Sequence, residues 1–310
     1  MKVEISLVKW YTFLEKQKIK KGNRMDLSYL KKYKQLYVIG HKNPDVDSFV
    51  SAKLMAEILC ANGINAVWAV FSEDKVDEGD QRMIEDCCTE KPLVLDRTAI
   101  ADSLFFLVDH NDVSQSVQDK NLVVGCVDHH ADCMEIANAH FSDYCCTALF
   151  IYSEFRDSYE FSHSQKEQIY MAFLSDSNFA KGSRYKEKDE KLGATLGFSK
   201  DYEGMFLKYF IPTDLSKDLD RVFATSNIKS YKFPKGEFKG GIIEDMGTEK
   251  LPEYKRFVEE YNGNFFGLWI DYKGVKSYVY FKNKGKMTSF EYDFIASRAT
   301  TVVTDILKTL

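Results

Sequence analysis

A short apolar run followed at once by metal-ligand side chains is the feature that most constrains how this chain of 310 residues can fold. Residues 36–39 are typical of a buried strand, and Gly40 ends it. Three side chains that bind hard cations then precede a helix predicted from about Ser48, namely His41, Asp45 and Asp47. In an open α/β sheet, ligands bind beyond the carboxyl ends of the strands. The pattern therefore predicts a cation site at that edge of a sheet.

The same pattern recurs further along the chain. Two more predicted strands and one predicted helix lead into side chains of the same kinds. These segments and the residues that follow them are 104–108 with Asp109, 122–127 with Asp128, His129 and His130, and 165–174 with Asp176, which we group with the strand-end residues. Apolar runs that alternate with helical patterns are typical of a sheet covered on both faces. We therefore predict an α/β domain built on a doubly wound, mostly parallel sheet.

The composition of the sequence changes near residue 185. A charged run at 186–191 indicates a solvated helix or a linker, and we place the domain boundary between residues 185 and 200. Beyond it, short helices mix with strands that alternate apolar and polar residues. We therefore predict a smaller α+β domain with a mixed or antiparallel sheet. The predicted segments are an N-terminal extension at 1–34, a metal-binding domain at 35–190 and a substrate-binding domain at 200–310.

Composition and charge narrow the classes of partner. The sequence is 45% hydrophobic and 29% charged, which is typical of a globular protein, and it has no apolar stretch that could span a membrane. A net charge of −5 argues against a stable nucleic-acid complex. The seven cysteines include no C-x-x-C pair, so we expect a reducing, cytoplasmic environment without a disulfide framework. A zinc-thiolate site of Cys126 and Cys133 is the less favoured alternative.

The first 34 residues require a separate prediction. Leu7, Val8, Tyr11 and Leu14 fall at helical spacing, and a lysine-rich stretch follows them. We predict an amphipathic helix that docks on the body of the protein or on a second subunit, which would make a homodimer. Contact with a membrane surface is the alternative.

The strand-end residues form a set that suits two metal ions. With Asp128 left out and one histidine set aside for substrate, two imidazoles and four carboxylates remain, which suffice for two divalent cations if one carboxylate bridges them. The mixed nitrogen and oxygen set suits Mn²⁺ better than Mg²⁺, which prefers oxygen ligands. Two such cations can hold a bridging water, lower its pKa and neutralise charge on a phosphoryl group. Alternative roles are a helix N-cap for Asp47 and orientation of an imidazole for Asp128.

The four ligand segments, taken in order, resemble the motifs of the DHH phosphoesterase superfamily. They are H-x-N-P-D-x-D at 41–47, D-H-N at 109–111, D-H-H at 128–130, and Asp176. The second domain resembles the DHHA2 branch, which contains manganese-dependent (family II) inorganic pyrophosphatases, exopolyphosphatases and prune-like phosphodiesterases. The resemblance implies two metal ions, Mn²⁺ in preference to Mg²⁺ or Co²⁺. The implied ligands are His41, Asp45 and Asp109 for one ion, and Asp47, Asp109, His129 and Asp176 for the other, with Asp109 as the bridge.

The resemblance also implies the groups that contact a small anionic phosphate substrate. His130 would face the phosphate beside Asp128. Lys229 and Arg298 of the second domain would bind the far phosphate group of a pyrophosphate substrate. In the segment that gives Lys229, Asn227 replaces an aspartate of the family pattern. Three further departures concern binding of the substrate and none concerns the metal ligands. Ala299 replaces a lysine, residues 181–184 replace a serine-proline-threonine stretch expected after Asp176, and the second domain is short for a family pyrophosphatase.

These expectations lead to one predicted function and its alternatives. We expect hydrolysis of phosphoanhydride bonds in a cleft between the two domains, with inorganic pyrophosphate as the substrate. Exopolyphosphatase or phosphodiesterase activity of the same branch is the alternative that Ala299 favours. A non-catalytic metal-binding scaffold is the alternative from another class.

Overall fold

The computed structural model describes most of the chain after its first 24 residues. The described ranges are 25–100, 103–130, 135–226, 228–233 and 236–310. The chain divides into two compact units. Of the described residues, the first unit contains those from 25 to 180 together with Tyr185–Tyr209, and the second contains Lys181–Arg184 and those from 210 to 310. The amphipathic helix predicted in the N-terminal extension lies outside the described residues.

The first unit is built on a six-stranded sheet in which every pair of neighbouring strands is parallel. The strands are β1 Leu36–Ile39, β2 Ala66–Phe71, β3 Leu93–Leu95, β4 Phe105–Val108, β5 Val123–Asp128 and β6 Ala139–Phe141. Their order across the sheet is β3-β2-β1-β4-β5-β6, so the order reverses between β1 and β4. Such a reversal opens a crevice at the carboxyl ends of the strands.

Helices flank this sheet, which confirms the predicted α/β class of the first domain. They are α1 Val46–Ala61, α2 Glu78–Cys87, α3 Thr147–Phe155, α4 His163–Asp176, α5 Glu187–Gly193 and α6 Tyr202–Tyr209. Helix α1 packs against β1, β2 and β4 and against α3 and α4. Ile39, Phe105 and Leu107 belong to a separate core cluster with Val113 and Val117 from the loop after β4. None of the described helices has the length and hydropathy that a membrane span requires.

The start of α1 differs from the prediction. The helix begins at Val46, and its N-cap is Asp45, whose Oδ1 accepts a hydrogen bond from the Ser48 backbone N–H at 2.9 Å. The alternative role of Asp47 as the N-cap is therefore wrong, because Asp47 lies within the first helical turn. Its carboxylate is consequently available to other partners.

The second unit contains a mixed sheet, as predicted. The strands are β7 Lys229–Phe233, β8 Gly236–Asp245, β9 Phe265–Asp271, β10 Lys276–Asn283 and β11 Lys286–Tyr292, in the order β11-β10-β9-β8-β7. Only β8 and β9 pair in parallel among these strands. The helices of this unit are α7 Leu219–Thr225, α8 Leu251–Glu260 and α9 Val303–Thr309. Phe223, Ile243, Tyr254 and Trp269 form its core cluster.

We predict that Gly125→Ala destabilises the first unit, because β5 has no room for a methyl group at this position. An added Cβ would lie 2.5 Å from the Tyr29 hydroxyl oxygen and 2.7 Å from a Phe106 ring carbon. Overpacking of this kind costs about 1–3 kcal/mol. Chemical denaturation measures the loss. Gly193→Ala is the control, since its Cβ would meet the Phe173 ring at an ordinary 3.4 Å. Equal stability of the two variants would contradict the packing at Gly125.

Candidate metal centre

Seven of the predicted site residues converge at the carboxyl edge of the first sheet. His41 follows β1, Asp45 and Asp47 begin α1, Asp109 follows β4, His129 and His130 follow β5, and Asp176 ends α4. Asp176 therefore lies at the end of a helix and not of a strand. The ligand atoms fall into three overlapping groups, and within each group all atoms lie within 4.8 Å of one another. Asp109 belongs to all three groups, so it is the centre of the cluster.

The first group joins His41 to two carboxylates. The His41 Nε2 atom lies 3.3 Å from Asp45 Oδ2 and 3.5 Å from Asp109 Oδ2. The Nδ1 atom of the same ring lies 3.0 Å from the Lys42 carbonyl oxygen. Because a carbonyl oxygen can only accept, Nδ1 carries the proton and donates. In the neutral ring, Nε2 then has a lone pair directed at the carboxylates, which is the arrangement of a metal-binding histidine.

The second group joins His129 to three carboxylates, and its imidazole is held in the same way as that of His41. The His129 Nε2 atom lies 3.2 Å from Asp109 Oδ1 and 3.2 Å from Asp176 Oδ2. Its Nδ1 atom lies 3.2 Å from the Tyr144 carbonyl oxygen, to which it donates. Asp47 completes this group. The two imidazoles therefore present the same nitrogen, Nε2, to two different sets of carboxylate oxygens.

The carboxylate of Asp47 is fully buried and is held by donors from α1 and α3. Its Oδ1 accepts from the Ala148 backbone N–H at 2.8 Å and from the Ser51 hydroxyl at 3.2 Å. Its Oδ2 accepts from the Thr147 backbone N–H at 2.7 Å. Since a carboxylate oxygen has two lone pairs, Oδ2 retains one for a cation. Asp47 is therefore suited to bind a metal through one oxygen.

Asp109 has its two oxygens directed at different groups. Its backbone has a φ of 60°, an uncommon value for a residue other than glycine, and its N–H donates to the Val127 carbonyl oxygen at 3.0 Å. This left-handed conformation ends β4 and turns the carboxylate into the cluster. Oδ1 faces His129 and Oδ2 faces His41. A carboxylate placed in this way can bridge two cations.

The electrostatics of the cluster favour a bound cation. Burial, together with the charges of Asp109 and Asp45, raises the pKa of Asp47 well above 3.8. Burial acts to lower the pKa of His41, but the same two carboxylates outweigh it and raise that pKa well above 6.5. Burial likewise opposes ionisation of Asp109, yet hydrogen bonds to His129 and His41 hold its pKa well below 3.8. Protons thus offset the clustered negative charge, and a divalent cation is suited to replace them.

His130 lies at the rim of the cluster and is oriented by Asp128. Its side chain is 42% exposed, and its Nδ1 lies 2.9 Å from Asp128 Oδ1, which also accepts from the His130 backbone N–H. The other oxygen of Asp128 accepts from the Asn111 side-chain amide at 2.6 Å. Burial acts to raise the pKa of Asp128, and the bond to His130 lowers it below 3.8. Asp128 therefore stays ionised and fixes the ring that it holds.

The two predicted basic residues belong to the second unit. Lys229 is exposed and begins β7. Arg298 is 8% exposed, and its guanidinium carbon lies 6.0 Å from the centre of the Tyr231 ring. One of its nitrogens lies 3.5 Å from the Gly240 carbonyl oxygen. Their contacts with a phosphate remain a prediction.

Two further side chains near the motifs, those of His110 and Cys126, are buried and form hydrogen bonds within the protein core. His110 is buried, donates from Nδ1 to the Val108 carbonyl oxygen at 2.8 Å and accepts at Nε2 from the Ser116 hydroxyl at 2.7 Å. Burial lowers its pKa to about 4, so it is neutral at pH 7. Cys126 is fully buried in the core cluster, and its thiol donates to the His110 carbonyl oxygen. Cys133, its partner in the zinc-thiolate alternative, lies outside the described residues.

The residues that hold the ligands in place were not predicted from the sequence. Thr147 donates from its backbone to Asp47 and from its hydroxyl to Asp109 at 3.0 Å. Ser51 and Ala148 also donate to Asp47. Thr147 is the first residue of α3, where the first backbone N–H groups lack helical partners. Ser51 lies four residues after Asp47 in the same helix, whereas nothing local connects Thr147 and Ala148 with a carboxylate 100 and 101 residues earlier.

Comparison with known proteins points to one family. Residues 35–175 match the DHH family, N-terminal domain. A protein of Staphylococcus carnosus named "Probable manganese-dependent inorganic pyrophosphatase" is 30% identical over 171 residues, covering 52% of this chain and 54% of the relative. A manganese-dependent inorganic pyrophosphatase of Methanothrix thermoacetophila is 32% identical over 97 residues, covering 31% of this chain and 30% of the relative. The chain thus matches about half the length, or less, of these curated relatives.

A solved structure supports the fold over more of the chain. It is named "Crystal structure of Methanococcus jannaschii putative family II inorganic pyrophosphatase", and it is 18% identical with a TM-score of 0.67. The comparison covers 88% of this chain and 98% of that one. At this identity the likeness concerns the fold alone. The domain match includes every residue of the cluster except Asp176, which follows its last residue. Residues 35–175 of this chain therefore match the N-terminal domain of the DHH family.

Proposed function

We propose that the protein hydrolyses phosphoanhydride bonds with two bound divalent cations, and that inorganic pyrophosphate is its substrate. The main support for this proposal is that the two carboxylate oxygens of Asp109 face separate ligand groups. One group adds His41 and Asp45, and the other adds Asp47, His129 and Asp176. Two cations that share a carboxylate are the usual arrangement for attack of water on phosphorus.

The donor set favours manganese. The group of His41 and the group of Asp47, His129 and Asp176 each offer one imidazole nitrogen among carboxylate oxygens. Such a donor set suits Mn²⁺ better than Mg²⁺, and Co²⁺ is a second candidate. The names of the relatives point the same way, since both describe manganese-dependent pyrophosphatases. We therefore propose Mn²⁺ as the cation of both groups.

The cations and the protein side chains have separate roles in this proposal. When bound, two divalent cations supply positive charge for the phosphoryl oxygens and lower the pKa of an attacking water. The protein contributes a fixed arrangement of donors. Ser51, Thr147 and Ala148 hold Asp47, and the carbonyls of Lys42 and Tyr144 fix the tautomers of the two imidazoles. Preorganised ligands need no rearrangement when substrate arrives.

His130 is the proposed proton donor to the leaving phosphate oxygen. Its Nδ1 proton is committed to Asp128, so Nε2 is the nitrogen that can face substrate. Donation of a proton from Nε2 requires the imidazolium form, in which both ring nitrogens carry protons. Asn111 holds the Asp128 carboxylate from its other oxygen. These three side chains therefore orient one transferable proton.

Basic side chains of the second unit are the proposed determinants of substrate choice. Lys229 and Arg298 are the proposed cationic contacts to the second phosphate. Ala299 supplies no charge at a position where family pyrophosphatases carry lysine. This substitution supports a second candidate, an exopolyphosphatase or a phosphodiesterase that uses the same cations. The metal chemistry is common to all three activities.

A comparison of substrates distinguishes these activities. With Mn²⁺ present, we expect kcat/KM to be highest for pyrophosphate among pyrophosphate, tripolyphosphate, long polyphosphate and dinucleotides. Phosphate release measures the first three, and chromatography of the products measures the last. A higher kcat/KM for another substrate would overturn pyrophosphate while leaving the class of reaction in place.

Loss of a ligand should abolish the activity. We expect Asp176→Asn and His129→Gln each to lower Mn²⁺-dependent phosphate release by more than about 100-fold, because changes outside the ligand set alone cost 10–100-fold. Asp143→Asn is the matched control, since Asp143 is an exposed partner of Lys186 and Lys188 in the same unit. Unchanged release by either ligand variant would remove the two-metal proposal.

The contribution of Asp47 and His41 to the stability of the metal-free protein should fall as pH rises. Asp47 and His41 have folded-state pKa values raised above 3.8 and 6.5, so the folded protein keeps protons that the unfolded chain releases. Stability from these groups is therefore lost as pH rises through their folded-state pKa values. Mn²⁺ replaces the protons, so we expect the increase in Tm on adding Mn²⁺ to grow with pH.

Thermal unfolding at several pH values, with and without Mn²⁺, measures this effect. His41→Gln should reduce the dependence of the metal-free Tm on pH. His163→Gln, which changes an exposed histidine, should leave it as in the wild type. A Tm increase that is the same at pH 5.5 and at pH 8, on either side of the ordinary pKa of about 6.5 for histidine, would contradict the predicted exchange.

A further inference from the structure

Thr147 contacts two candidate ligands of the metal centre at once. It is fully buried and is the first residue of α3. Its backbone N–H donates to Asp47 Oδ2 at 2.7 Å, and its hydroxyl donates to Asp109 Oδ1 at 3.0 Å. A carboxylate can only accept, so the direction of both bonds is fixed. Thr147 therefore links Asp47, a candidate ligand of one cation, to Asp109, whose carboxylate belongs to the ligand groups of both cations.

The hydroxyl bond determines which lone pairs of Asp109 remain. Oδ1 uses one lone pair for Thr147 and directs the other towards His129 Nε2, 3.2 Å away. Oδ2 faces His41 Nε2 at 3.5 Å. An Asp109 side chain held in this way presents one oxygen to each group. Without the hydroxyl, the carboxylate could turn and bind one cation through both oxygens.

The position of Thr147 is itself fixed. Helix α3 packs against α1, which begins with Asp45 and Asp47. The thiol of Cys146 caps α3 by accepting from the Leu149 backbone N–H at 3.4 Å. A threonine side chain has few rotamers because it is branched at Cβ. The hydroxyl is therefore a rigid support for Asp109.

We infer that Thr147 is a positioning residue that keeps Asp109 in its bridging orientation and so couples the binding of the two cations. This inference rests on the proposed function, because it concerns the cations that the proposed reaction requires. It assigns a role to a residue that contacts ligands and does not itself bind metal. The coupling predicts that loss of the hydroxyl weakens binding of the second cation more than the first.

Mn²⁺ titration followed by electron paramagnetic resonance tests the inference in Thr147→Val, which keeps the shape of the side chain and the backbone bond to Asp47. We expect affinity for the second Mn²⁺ to fall by about 10–100-fold, the usual effect of removing a group that orients a ligand. We also expect the signal of a spin-coupled Mn²⁺ pair to be lost at Mn²⁺ concentrations that produce it in the wild type. Thr147→Ser, which keeps the hydroxyl, should restore both.

Matched variants separate this effect from a general loss of structure. Thr195→Val removes a hydroxyl that donates to the Leu192 carbonyl oxygen and should leave Mn²⁺ binding unchanged. Thr147→Ala removes the same hydroxyl without the added methyl group, and it takes the place of Thr147→Val if that variant does not fold. Wild-type affinity and a coupled signal in the folded variant would overturn the inference. A wild-type protein that binds fewer than two Mn²⁺ ions would overturn the proposed function as well.

Discussion

Carboxylates that are buried side by side repel one another, and the first unit contains the groups that offset this repulsion. Asp47 and Asp109 are almost completely buried, and Asp45 lies beside them. At short range and in a medium of low dielectric constant, two such charges cannot both persist without compensation. Backbone N–H groups at the start of α1 and α3 compensate part of the charge, since the N-terminus of a helix carries partial positive charge. Two imidazoles add to this, and the rest requires protons or cations.

The parallel sheet explains why so many ligands meet at one place. Strands β1 and β4 are neighbours at the point where the strand order reverses, and β5 lies next to β4. Their carboxyl ends therefore bring His41, Asp109 and His129 to one edge, although 88 residues separate the first from the last. The strands are almost entirely buried apolar segments, so the ligands project from a rigid base. Asp176 reaches the same edge from the end of a helix instead.

Local patterns in the sequence were sufficient to predict much of this arrangement. Apolar runs marked β1, β4 and β5, and the residue types after them marked a cation site. The short strand β6 was not predicted, because three residues that include His140 carry too little pattern. An N-cap role was considered only as the alternative for Asp47, because the helix was predicted to begin at about Ser48, and the cap is Asp45. The role of Thr147 depends on tertiary contact, which no local pattern records. The predicted roles of Lys229 and Arg298 came from family resemblance and not from any pattern.

The hydrogen bonds from α3 to Asp47 connect residues 100 and 101 positions apart, and this separation determines when in folding the centre can form. A chain that has emerged from the ribosome only as far as α1 has three ligand side chains but lacks the donors that hold them. Asp176 is added later still, after α3 has formed. Contacts between distant residues form late because closing long loops costs conformational entropy. The complete set of ligands therefore exists only after the segments from β1 to the end of α4 have assembled, and a bound cation would connect these segments.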